Sequence, residues 1–206
     1  MERLKQAGIT LVELIIVLGI SGFVVTAAAA VINQTLLVGA RNDARLLALR
    51  QVQTAGAWVS HDIACAHSII FDDPDTPSIS ELVTLSWQDW PVKLNPEQSD
   101  SDYQTTTHRV AYYLNEEDEL VRHHTMETTI TNAYGEEQSN STTTQETIIA
   151  YYIDPDEEAT YCTWDDDTIP IEERVIIFQV TSEVHNQIES RTYRIKPRPL
   201  LSGENP

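Results

Sequence analysis

The side chains able to do chemistry are few, and their spacing excludes most of it. Six histidines, His61, His67, His108, His123, His124 and His185, are scattered along the chain. His123 and His124 are neighbours in a segment that reads as a strand. Alternation sends them to opposite faces, away from a shared ion. No GxSxG, HExxH, Walker A or GxGxxG pattern occurs. Acid pairs such as Glu116-Glu117 and Glu136-Glu137 are what a chain with 32 acids supplies by chance. No catalytic set is present, and an enzyme is not expected.

One loop has the composition of a cation site. Asp154, Asp156, Glu157 and Glu158 precede Asp165, Asp166 and Asp167. Hard oxygen ligands at this density suit Ca²⁺, although EF-hand spacing and its central glycine are missing. The competing expectation is a solvated acidic loop. Cys65 and Cys162 show no CxxC or Cys/His metal spacing. Outside the cytoplasm they could pair in a disulfide; otherwise they are two separate buried thiols.

Charge narrows the partners. Of 206 residues, 13 are Lys or Arg and 32 are Asp or Glu, a formal net charge of −19. Residues 72–173 hold twenty-five acids against Lys93, Arg109 and Arg122. Gripping a nucleic-acid backbone needs clustered cations, so the composition argues against direct nucleic-acid binding. It argues equally against adhesion to an anionic lipid surface through a basic patch.

The remaining chemistry lies near the amino terminus. Residues 1–8 (MERLKQAG) are polar, with Arg3 and Lys5. Residues 9–32 are apolar except for Glu13 and the mild polars Thr10, Ser21 and Thr26. As a helix this stretch is roughly 36 Å long, enough for a hydrocarbon core of about 30 Å. Basic residues before it and acidic bulk after it predict an N-in, C-out orientation. The segment reads in three ways: a secretory signal cleaved within residues 27–30, a plain anchor, or a short leader cleaved after Gly8 with the apolar segment retained.

Glu13 separates these readings. A carboxylate in an apolar helix costs on the order of 2.5–3.5 kcal/mol at mid-bilayer. A signal or simple anchor gains nothing from that cost. Cleavage after Gly8 would free the amine of Ile9, four residues before Glu13. In a packed array that amine can meet a neighbour's carboxylate, worth roughly 4 kcal/mol at 4 Å and an effective dielectric of 20, before desolvation. One polar residue between greasy helices also sets their register.

The run Gly8-Ile9-Thr10-Leu11-Val12-Glu13, continued by an unbroken apolar helix, resembles the amino-terminal methylation motif of type IV prepilins and type II secretion pseudopilins. Ile9 stands where that family often has Phe. The resemblance implies cleavage between Gly8 and Ile9 by a prepilin peptidase, N-methylation of Ile9, and assembly in which Glu13 pairs with a neighbour's amine. It also implies other pilin or pseudopilin subunits and an inner-membrane assembly platform as partners. The chain would sit in the cytoplasmic membrane with its head outside the cytoplasm, then in a pilus or pseudopilus.

Positioning this segment calls for a long helix and a head to carry it. After residue 32 the apolar residues Leu36, Leu37, Ala40, Ala44, Leu47, Ala48, Val52, Ala55, Val59 and Ile63 recur at three- and four-residue steps. The expected division is a leader at 1–8, a transmembrane helix or filament core at 9–32, an amphipathic continuation at 33–66, and a β-rich head at 67–206. Strands are expected at 82–87, 109–114, 120–125, 125–131, 144–153, 175–181 and 191–195, with loops at 134–143 and 154–167. Strand follows strand without helices, so the fold class is α+β: one long helix on an antiparallel sheet, pilin-like.

A second resemblance lies in the head. Ser60-His61-Asp62-Ile63-Ala64-Cys65-Ala66, with Val110-Ala111-Tyr112-Tyr113-Leu114 and Leu120-Val121-Arg122, is similar to J-type (PilW-like) minor pilins. It implies a minor subunit at or near a filament tip that helps start assembly. The alternative function is a membrane-anchored or secreted acidic β-domain that binds a partner without forming a filament.

Overall fold

The computed structural model describes residues 10–71, 81–95, 102–156, 158–165 and 174–198. One α-helix comes first, α1 (Leu11–Cys65), followed among the described residues only by strands. The chain divides into two compact units, Met1–Ala44 and Arg45–Pro206.

In the first unit the helix carries apolar side chains on all sides. Leu11, Ile15, Leu18, Phe23, Val25 and Ile32 are all exposed. Its most apolar 18-residue window has a mean hydropathy of 2.6 and no buried residue, long and apolar enough to cross a membrane. Two threonines of this helix are satisfied locally. Thr26 Oγ1 donates to the Gly22 carbonyl and Thr35 Oγ1 to that of Val31, each at 2.8 Å. Hydroxyls bonded back to their own helix can enter a lipid phase without an open donor.

In the second unit the same helix becomes one-sided. Ala48, Val52, Ala55, Val59 and Ile63 are buried, at steps of four and three. From Val52 onward these residues share a core with Val83, Leu85, Val110, Tyr112, Leu120, Ile153, Ile176, Phe178 and Val180. The larger sheet holds β1 (Ser68–Ile70), β2 (Glu81–Gln88), β4 (Tyr103–Leu114), β5 (Leu120–Thr131) and β6 (Glu137–Ala150) in that order. The short β3 (Val92–Lys93) pairs with β4. A second sheet holds β7 (Tyr161–Trp164), β8 (Ile176–Val184) and β9 (Gln187–Ile195). Every pairing is antiparallel. The architecture is α+β and pilin-like, as the sequence predicts.

Several boundaries differ from the expectation. Residues 134–143 are mostly strand, because β6 begins at Glu137. The turn needs only Asn132 through Glu136, closed by Asn132 N–H to the Glu136 carbonyl at 2.9 Å, with Gly135 at φ 82°. The polar Ser, Asn and Thr run that reads as loop is rich in β-branched threonine and pairs with β5. β4 starts at Tyr103, earlier than expected, and β7 lies inside the expected acidic loop. The β8–β9 hairpin closes on His185 and Asn186, both at positive φ (49° and 62°), which is the backbone of a type I′ turn.

Gly56 marks the place where β9 reaches the helix. It is buried, and a Cβ there would run into the ring of Tyr193. The absent side chain lets β9 approach α1, where Tyr193 donates its hydroxyl to the Val52 carbonyl at 3.1 Å.

Candidate functional site

Thr10 is the N-cap of α1. Its Oγ1 accepts from the backbone N–H of Glu13 at 3.3 Å, and its carbonyl accepts from that of Leu14 at 3.2 Å. Counting from Leu11 as the first helical residue, Glu13 is the third. Thr-x-x-Glu is therefore also a helix-start signature, in which the threonine satisfies an orphan donor of the first turn. An acid here faces the positive end of the helix dipole. The helix thus contributes to keeping Glu13 in apolar company, alongside any charge from another chain. Gly8 and Ile9, the expected processing pair, lie outside the described residues.

The model of the prokaryotic N-terminal methylation motif matches residues 3–29. The chain carries that motif. The motif marks type IV prepilin-like and pseudopilin-like proteins, the substrates of prepilin peptidase. No curated protein and no solved structure matches the chain. The apolar helix that carries most of the motif is consistent with anchoring the chain in the inner membrane.

In the head, the segments that carry the J-type resemblance meet in space. Asp62 on α1 is buried against Arg122 on β5, with Nε to Oδ2 at 2.7 Å. Tyr112 on β4 donates its hydroxyl to the same oxygen at 2.6 Å. The Arg122 guanidinium also lies over the Trp58 ring, 5.3 Å from its centroid. Burial, then the Asp62 charge, pushes the Tyr112 hydroxyl far above the ordinary tyrosine range. A bonded acid, base and phenol shut inside a core form a clamp between helix and sheet. They are closed to substrate, so this cluster holds the head together.

The cysteines are separate free thiols in this structure, both half-buried. Cys65 is the last residue of α1 and Cys162 lies on β7. Burial pushes the Cys162 thiol up to about 12, leaving little thiolate at neutral pH.

The acidic loop is tied up in its own backbone. Asp154 Oδ1 accepts from the Asp156 N–H at 3.1 Å, and Asp156 Oδ1 from that of Glu158 at 3.0 Å. Asp165 accepts from Val175 N–H at 3.0 Å and from Arg194 at 3.1 Å. Asp166 and Asp167 lie outside the described residues. Among the described residues no three His, Cys, Asp or Glu side chains are grouped to hold a metal ion.

One cluster is invisible to a linear reading. His124 leaves His123 behind and meets His108 across the β4–β5 ladder, Nε2 to Nδ1 at 3.0 Å. His108 Nε2 is 3.1 Å from Asp89 Oδ2, and the Trp87 ring is stacked beside it. Only register brings these residues together. Their spacing in sequence carries no signal.

Proposed function

We propose that this chain is a structural subunit of a type IV pilus or type II secretion pseudopilus, a minor subunit that helps start assembly at the tip. One observation carries the reading: the methylation motif sits on a capped helix start that runs into an apolar span. Prepilin peptidase would cut after Gly8, the amine of Ile9 would be methylated, and the helix would leave the membrane by packing among other pilin helices. Glu13 would meet the amine of a neighbour and set the axial register.

The minor role is supported by Asp62, Tyr112 and Arg122, the residues of the J-type resemblance that close one buried cluster. Two measurements test the proposal. Intact mass of the natural product should give a chain starting at Ile9 with one added methyl. A start at Met1, or near Val31, would end it. Glu13→Ala should be processed normally but fail to enter filaments, and normal incorporation would remove the register argument.

A further inference from the structure

We propose that His108 and His124 form an open two-imidazole site for a cupric ion on the head. The pair lies on one face of the larger sheet. His108 is opposite Trp87 on β2 and Met126 on β5, and His124 is opposite Val110 on β4. These partners share a face, so Trp87, His108, His124 and Met126 form one patch continuous with the buried Val110.

Asp89 sets the tautomer of His108. A carboxylate accepts only, so the Nε2–H of His108 points at Asp89 and its Nδ1 lone pair faces His124. A carboxylate behind a ligating histidine is the arrangement that orients metal-bound imidazoles. At present a proton fills the 3.0 Å gap between the two rings.

Ligand type selects the ion. Imidazole suits Cu²⁺, which stands highest in the order of divalent affinities. The present 3.0 Å separation is that of an N–H···N hydrogen bond, so both rings must turn for their lone pairs to meet on one metal. The ion replaces the shared proton, His124 changes to its Nδ1–H tautomer, and water completes the coordination.

The test uses the full chain in detergent micelles, titrated with Cu²⁺ alone. One equivalent should bind with two equatorial nitrogens in the electron paramagnetic resonance spectrum and should quench Trp87, whose ring centroid is 5.0 Å from that of His108. His108→Gln or His124→Gln should each weaken binding at least about tenfold, and Asp89→Ala by roughly tenfold. His123→Gln, on the opposite face, should bind as the native chain does. The spectrum of the native chain needs no variant to fold. A single coordinated nitrogen, or full affinity in either of the paired-histidine variants, overturns the site.

Discussion

Asp62 and Arg122 form an ion pair inside the head, with 3% and 10% of their side chains exposed. Sixty residues separate them in sequence, and the bond fastens α1 to β5. A buried charge is tolerated only while its partner stays. Removing Asp62 leaves the guanidinium uncompensated, and losses of about 3–5 kcal/mol follow such cuts. Asp62→Ala should therefore lower the melting temperature of the head by roughly 10 °C or more. Replacing both by apolar residues, Asp62→Leu with Arg122→Met, should recover much of that loss. A double variant as weak as the sum of the two single variants would show that the charges are not coupled.

Tyr112 gives the same cluster an alkaline limit. Its hydroxyl is held neutral by burial and by Asp62, so its folded pKa lies above the unfolded value near 10. Tyr113, beside Glu146, is raised to about 12, first by burial and then by that carboxylate. A raised folded pKa means that the unfolded chain releases protons first. The stabilisation is full below pH ~10 and declines above it, by up to about 1.4 kcal/mol per pH unit for each group. Unfolding free energies measured from pH 8 to 11.5 should be flat and then fall. In Tyr112→Phe the fall should be shallower.

The periodicity of residues 48–63 and the apolar run before it made the helix legible in sequence, because a single stripe facing a core obeys a local rule. The edges of the sheet were less legible. The first half of β6 was hidden because Ser-Asn-Ser-Thr-Thr-Thr looks like loop until β5 is there to pair with it, whereas its end was expected as strand from Thr144. The amino-terminal site was readable because its chemistry is contiguous, from Gly8 to Glu13. The clusters of the head were not, since Asp62 with Arg122 and His108 with His124 depend on register between distant segments. Motif resemblance flagged Asp62 and Arg122 separately, without saying that they touch.

Gly56 separates helix propensity from packing. In an exposed helix, Gly→Ala gains about 1 kcal/mol. Here the methyl would collide with Tyr193, and the hydroxyl bond to Val52 would break as the ring moves. Overpacking costs typically 1–3 kcal/mol, so the balance favours glycine. Gly56→Ala should melt several degrees below the native chain. Adding Tyr193→Leu should reverse the sign, because the helical gain then stands alone.

Processing should depend on the residue before the cut. In the processing proposed above, Gly8 is the last residue of the leader, where a side chain has to fit the peptidase. Gly8→Ala should slow or block leader removal, seen as accumulation of the Met1 form on a denaturing gel. Rapid, complete maturation of that variant would move the cleavage point elsewhere.

Thr10 should matter for the order of the first turn rather than for cleavage. Its hydroxyl is the acceptor for the Glu13 N–H, and caps of this kind contribute about 0.5–2 kcal/mol. Thr10→Ala removes the acceptor, whereas Thr10→Ser keeps it. Amide exchange at Glu13, followed in micelles, should accelerate roughly tenfold in the alanine variant, since 1.4 kcal/mol corresponds to a factor of ten. Exchange in the serine variant should stay near the native rate. Because Glu13 needs that turn intact to hold its carboxylate at a fixed height along the helix, loss of the cap should also lower filament incorporation. Equal exchange in all three chains would mean that the amide is protected by something other than the threonine, and the cap would then have no part in placing the acid.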